Sequence, residues 1–242
     1  MTVNPLDQFT IHKVFDLGVV GEHQFIVTNS SMFMLFALTL ISFFFILSLR
    51  KKSIIPGRLQ ATAELCYQFI SNMLDETTEG TGEKFLPFVF SLFYLILVLN
   101  LFGLMPHGFT VTSHIIVTFT LAMMVFLLVT IYAFVKHGKK FIGFFVPKSV
   151  PVIMLPLMVM IEIFVYLTRP VSLSIRLAAN MCAGHILIFL MTGFIVLMGF
   201  WGFLPITFVT LLTGVDLFVA ILQAYIFTIL SCTYINDAIN LH

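Results

Sequence analysis

Charge is what this sequence has least of. Only 10% of its 242 residues are Asp, Glu, Lys or Arg, against about 25% in an ordinary soluble domain. Twelve basic and eleven acidic side chains leave a formal net charge of +1, so there is no basic footprint of the kind that binds DNA or RNA by releasing counterions. Polar surface is equally scarce: 60% of the residues are hydrophobic and the mean hydropathy is +1.10. Such a chain cannot cover a globule in water, which excludes a soluble enzyme, a nucleic-acid-binding module and a disordered tail. Cysteine is sparse, with Cys66, Cys182 and Cys232 scattered through apolar segments; this odd number gives neither a disulfide framework nor a CxxC metal site, and the three read as packing residues. There is no GxxxxGK[ST] loop to cradle a phosphate, so the chain by itself binds no nucleotide. Residues 1–30 have no basic stretch followed by a short apolar core, so no cleaved signal or transit peptide is expected.

What is present is a series of long apolar runs. Residues 31–49 are free of charge and reach the ~20 residues that a helix needs to cross a hydrocarbon core at about 1.5 Å per residue. Arg50, Lys51 and Lys52 stop this run, and Pro56-Gly57 turns the chain. Over 57–79, Leu65, Phe69, Ile70 and Met73 recur at helical spacing while Glu64, Gln68, Asn72, Asp75, Glu76 and Glu79 take other faces. That pattern predicts an amphipathic helix at the membrane surface. Further spans are predicted over 85–105 and 115–135. With 1–30 as an outer lead, the cluster from Arg50 to Arg58, Lys84, and the cluster from Lys136 to Lys148 all fall on one side, as basic residues of an inner face do. Only Lys13 lies outside.

The interval 150–199 allows two topologies. Cut by hydropathy, it becomes two spans that place Arg169 and Arg176 on the outer face, against the charge bias. As one helix of roughly 45 residues it is about 68 Å long, over twice the hydrocarbon thickness, and must tilt steeply. Pro170 then lies inside it, with Thr168 and Ser172 near enough to compensate for the missing donor. A second long helix over 206–235 completes a tilted hairpin, which is the reading adopted. The fold class expected is therefore an all-α polytopic membrane protein of about six helices, one of them the surface amphipathic helix.

Within the hairpin lie Glu162, Arg169, Arg176, Asn180, His185, Asp216 and Gln223. A charge at such depth costs about 2.5 to 3.5 kcal/mol on insertion scales, and several together point to an ion path. Seven residues bring a helix back to nearly the same face, so Glu162, Arg169 and Arg176 form one stripe with Asn180 a turn on, and Asp216 shares a face with Gln223. His185 points the other way. Plainer roles compete with these: Arg169 beside Pro170 reads as a structural or snorkelling arginine, and Asn180 and Gln223 suit bonds between helices. Ala179, Ala183 and Gly184 suit close packing. His107 and His114, in a short outer loop, read as water-facing rather than metal-binding. For Glu162, Arg176 and Asp216 the plain alternative is an internal salt bridge.

The segments RPVSLSIRLAANMCAGH, GVDLFVAILQAY and YINDAINLH, with PLDQF and NLFGLMPHGFTVTSH earlier in the chain, resemble subunit a of the F-type ATP synthase, in the form encoded by mitochondrial genomes. The resemblance covers nearly the whole chain. It implies that Arg176, in R-L-x-x-N, is the charge that separates two proton half-channels, and that Glu162, Asn180, His185, Asp216 and Gln223 line the proton path. It implies as partners a c-ring, peripheral-stalk and other membrane-sector subunits, and lipid, with no nucleic acid. No cofactor and no metal are implied, and the subunit performs no nucleotide chemistry itself. Its expected place is the mitochondrial inner membrane, with the N-terminus in the intermembrane space and the C-terminus in the matrix. Bacterial members carry an acid at the position of His185 and a histidine at that of Asp216. Mitochondrial relatives often have Glu where this chain has Asp216, one methylene shorter, so that a water bridge to the rotor is expected there.

Other classes predict features that are missing. An ion-coupled secondary transporter predicts an internal repeat or paired broken helices, and the 150–199 pattern has no second copy. A haem-binding anchor predicts paired histidines in facing spans, and only His185 lies deep in a predicted helix. A passive structural subunit does not account for a buried arginine beside two acids.

Overall fold

The computed structural model describes residues 13–20, 23–50, 56–105, 109–138, 154–198 and 202–240. Among these described residues six α-helices dominate: α1 Asn29–Leu49, α2 Arg58–Thr78, α3 Leu86–Leu104, α4 Ile115–His137, α5 Leu155–Met198 and α6 Phe203–Ile239. Five of them, all but α2, are long and apolar enough to cross a membrane. This is an all-α polytopic membrane protein. Helices are the economical solution in lipid, because every backbone donor finds its acceptor within the same segment.

One departure precedes α1. Where a plain polar lead was expected, β1 Lys13–Val20 and β2 His23–Thr28 form an antiparallel hairpin, with Lys13 opposite Thr28 and Val20 opposite His23. The β-branched and aromatic residues of VFDLGVV and HQFIVT favour this pairing. The hairpin hands directly into α1, where Thr28 and Ser31 cap each other: the Ser31 N–H donates to Thr28 Oγ1 at 3.4 Å, and the Thr28 N–H to Ser31 Oγ at 3.0 Å. Such a capping box satisfies two of the donors a helix start leaves free.

Helix α2 buries Ala63, Ile70, Met73, Leu74 and Thr78. The expected apolar stripe is thus half right: Ile70 and Met73 are inside, while Leu65 and Phe69 are 65% and 47% exposed. Five residues separate Leu65 from Ile70, which is 140° around the helix at 3.6 residues per turn, so one core cannot take both. The helix ends where Glu79 and Gly80 adopt left-handed φ values of 51° and 77°, the stop that glycine makes inexpensive.

Helix α6 is the axis of the bundle, packed against α2, α3, α4 and α5. Phe227, Cys232 and Ile235 of α6 form the core with Ile70 and Leu74 of α2, Phe93 and Ile96 of α3, Val125 and Val129 of α4, and Leu173 and Leu177 of α5. Lipid tails are as apolar as these side chains, so close packing and interhelical hydrogen bonds must hold the bundle. Those bonds are distributed through it. Thr130 Oγ1 lies 2.7 Å from the Tyr166 hydroxyl, Thr118 Oγ1 3.3 Å from Ser174 Oγ, and the Tyr94 hydroxyl donates to the Cys66 carbonyl at 3.3 Å.

Helix α5 runs unbroken through 44 residues, about 66 Å at 1.5 Å per residue. The two-span cut is therefore excluded, and the long hairpin forms. Pro170 is buried inside it. The hydroxyl of Thr168 donates to the carbonyls of Phe164 and Val165, and that of Ser172 to the Arg169 carbonyl. At the far end of the hairpin, Lys136 Nζ donates to the Ile239 carbonyl at 3.1 Å and His137 Nε2 lies 3.1 Å from the Ala238 carbonyl. The C-terminal ends of α4 and α6 thus meet, with the Lys136 ammonium placed on the negative end of the α6 dipole. In a double-mutant cycle of Thr130→Val and Tyr166→Phe, the coupling is expected at about 0.6 kcal/mol, the mean for side-chain hydrogen bonds between membrane helices, and at most about 1.7 kcal/mol. SDS titration in mixed micelles measures it.

Candidate functional site

Three helices converge on one small polar cavity. Asp216, Val219, Ala220 and Gln223 enter it from α6, Asn180, Met181, Gly184 and His185 from α5, and Asn100 and Leu104 from α3. On each helix these residues follow three- and four-residue steps, which place them along one face. The room inside for a water-sized sphere is about 10 Å³.

Contacts across the cavity are polar and specific. Asn180 Nδ2 donates to Gln223 Oε1 at 3.0 Å, so the two amides do bond helix to helix. Asn100 is wholly buried and its Nδ2 donates to the Ala220 carbonyl at 3.1 Å. The His185 ring bonds the backbone of Gly103, and it shares the cavity lining with the Asp216 carboxylate. Gly184 lies directly under that carboxylate: a Cβ added there would sit 2.8 Å from Asp216 Oδ2. Its missing side chain is what lets the acid rest on the backbone of α5. Gly103 permits a second close approach, with Thr110 Cγ2 and Met181 Cε at 2.6 and 3.0 Å from where a Cβ would be.

The two arginines have different surroundings. Arg169 is clamped, its Nη1 2.9 Å from Asp237 Oδ2, with its guanidinium 4.9 Å from the Tyr234 ring centre and 5.4 Å from that of Tyr166. That clamp ties α5 to the last turn of α6. Arg176 is exposed on the outer side of α5 and makes no hydrogen bond or ion pair with any described residue; the Tyr234 phenol is near enough to feel its charge. Ala179 and Ala183 are exposed beside it, whereas Gly184 is buried against α6. Close packing within the chain therefore accounts for the glycine but not for the two alanines. Glu162 is half-buried toward the Leu155 end of α5 and does not line the cavity. Glu162, Arg169 and Arg176 thus share no partner despite their even spacing, because Asp237 draws only the middle one toward α6.

One sequence reading changes here. His114 is tucked in rather than water-facing: its ring stacks 5.2 Å from that of Phe109 and its Nε2 is buried. Burial lowers its pKa from the ordinary histidine value, since it penalises the charged form. His107 lies outside the described residues. Asn100 escaped sequence reading altogether, although an amide near the end of an apolar span was a usable signal, and so did Asp237, in the last turn of α6. Among the described residues no three His, Cys, Asp or Glu side chains come together to hold a metal ion.

A sequence model of the ATP synthase A chain family matches residues 31–236, from the first turn of α1 almost to the end of α6. The chain belongs to the ATP synthase A chain family. It is accordingly a multi-pass subunit of the ATP synthase membrane sector, and other ATP synthase subunits are its partners. The match includes the whole polar cavity and both arginines, but stops one residue short of Asp237.

The different settings of the arginines make a measurable contrast. Arg169→Gln is expected to lower stability toward SDS by about 1.5 to 3 kcal/mol, the range for a hydrogen bond to a charged group. Arg176→Gln, which breaks no hydrogen bond or ion pair among the described residues, is expected to change it by less than about 0.5 kcal/mol. Equal losses for the two would contradict the assignment of partners.

Proposed function

We propose that this ATP synthase A chain is the proton-translocating stator wall of the membrane sector. It offers two offset half-channels to the carboxylates of a c-ring, with Arg176 between them. The observation that carries the reading is the isolated guanidinium of Arg176, exposed on an apolar helix face and lacking any counter-charge among the described residues. An arginine does not deprotonate under these conditions, and a charge so placed in lipid needs an opposite charge from a partner. The flanking Ala179 and Ala183 leave room for another helix to come close. A ring of helices, each with a buried carboxylate, supplies both.

On this reading Asp216, His185, Asn180 and Gln223 serve the outer half-channel, where an acid and an imidazole relay protons with water. A ring carboxylate protonated there turns through the lipid and reaches Arg176 from the other side. The guanidinium lowers the carboxylate's pKa, and the proton leaves toward the inner side by way of Glu162. The same positive charge repels protons that would pass straight from one half-channel to the other. Each proton crossing the full potential yields about 2.3 kcal/mol per 100 mV, so a leak at this point would dissipate the drive for rotation. Asp216, one methylene shorter than Glu, would reach the rotor through a water.

The chain is of the mitochondrially encoded type and lies in the inner membrane, with α2 along the inner surface, the N-terminus in the intermembrane space and the C-terminus in the matrix. Supporting this orientation, the basic cluster from Lys136 to Lys148 begins in the last turn of α4, and the C-terminal end of α4 meets that of α6. Peripheral-stalk subunits and lipid would cover the remaining apolar faces. Against a secondary transporter, α5 and α6 are each unbroken, where paired interrupted helices would be expected.

In sealed vesicles holding the assembled ATP synthase, Arg176→Ala is expected to reduce coupled ATP synthesis at least about 100-fold, the effect of losing ~2.7 kcal/mol of charge stabilisation. A passive proton leak should appear with it. Undiminished coupled synthesis would sink the proposal.

A further inference from the structure

Two fully buried polar atoms in the cavity are left without a partner, and they belong to different helices. Asn100 Oδ1, on α3, and Gln223 Nε2, on α6, have no hydrogen bond, while Asn100 and Gln223 are 0% and 3% exposed. Leaving such a group unmade costs about 1 to 3 kcal/mol, so each one requires an explanation. Both residues line the same small space, and its ~10 Å³ is about what one water molecule needs. The surroundings are polar enough to hold it, since His185, Asp216 and Asn180 complete that lining.

The orientation of the Asn100 amide follows from its partner. The Ala220 carbonyl can only accept, so the group facing it must be the NH₂, and the oxygen points elsewhere. The amides of Asn180 and Gln223 face each other and can be turned over together without loss. The unmatched Gln223 atom is then a donor in one arrangement and an acceptor in the other. A water molecule suits either case, because it both donates and accepts; a metal cation suits neither the donor arrangement nor so small a space.

We propose that one ordered water bridges Asn100 Oδ1 and the Gln223 amide, linking α3 to α6, and that Asn100 is a positioning residue for the proton path. The inference rests on the reading of Gln223, His185 and Asp216 as that path. Asp216 and His185 line the same space, so the water's remaining hydrogen-bonding capacity is open to them. Asn100 therefore holds a proton-conducting water in register beside the titrating groups without titrating itself.

A density map of the assembled ATP synthase, at a resolution that separates waters, tests the site directly. One peak within about 2.7 to 3.2 Å of both amides is expected. A direct bond between the two amides, or a partner subunit's side chain filling the gap, overturns the inference. Function provides the second test, using proton transport in sealed vesicles of the whole complex with Asn100→Leu, Gln223→Leu and the double variant. Asn100→Leu should slow transport about three- to tenfold, the factor one hydrogen bond sets. The double variant should be no slower than the slower single one, because both act through the same water. Losses that multiply would overturn the shared role. If Gln223→Leu blocks transport but the gap holds no water, this inference fails while the proton-path reading stands. If the water is present and Gln223→Leu changes nothing, the proton-path reading fails and the water site alone remains.

Discussion

The seam between α5 and α6 governs the geometry of everything else. Three polar contacts step along it in antiparallel register: Arg169 with Asp237, Asn180 with Gln223, and Gly184 under Asp216. In lipid these contacts carry more of the specificity than they would in water, because apolar side chains gain nothing by leaving hydrocarbon for one another. A slip of one residue would turn each side chain by 100° and break all three at once. The register that satisfies the charged clamp at one end is therefore also the register that builds the cavity in the middle.

That seam sorts the polar residues of the hairpin into two environments. Inward, His185, Asp216 and Gln223 meet α3 around a space of molecular dimensions. Outward, Arg176 stands with Ala179 and Ala183 on an apolar face that the described residues leave uncovered. The first environment is suited to relaying protons through short bonds and water, the second to holding a fixed charge against a passing partner. Glycine makes the inward approach possible at Gly184 and Gly103, and small side chains leave the outward face shallow. Arg169, by contrast, spends its charge on Asp237 and two tyrosine rings, which makes it part of the frame.

Much of this was readable from the residues in order. Long charge-free runs define the spanning helices, since length and apolarity are all that a crossing requires. The distribution of lysine and arginine selects the unbroken α5 over two shorter spans, because a helix cut there would strand two arginines on the wrong face. The seven-residue spacings of Arg169 with Arg176 and of Asp216 with Gln223 mark α5 and α6 as the polar helices. Misreadings came where a partner lies far away in sequence. Leu65 looks as apolar as Ile70, but α3 and α6 cover only one side of α2, and Phe69 at its edge stays partly exposed although its ring meets Phe93 and Tyr225. His114 looks like a loop histidine until Phe109 stacks on it.

Local composition and periodicity therefore determined the number of helices, their lengths and the residues that carry charge into the membrane, since each depends on neighbours a few positions apart. Tertiary structure alone decided which of two arginines is paired, that Asn100 belongs to the cavity, and that a glycine supports the Asp216 carboxylate. Asn100 and Ala220 are 120 positions apart, and Arg169 and Asp237 are 68 apart. No periodicity reaches across such distances; only the packing of one helix on another brings those atoms within bonding range.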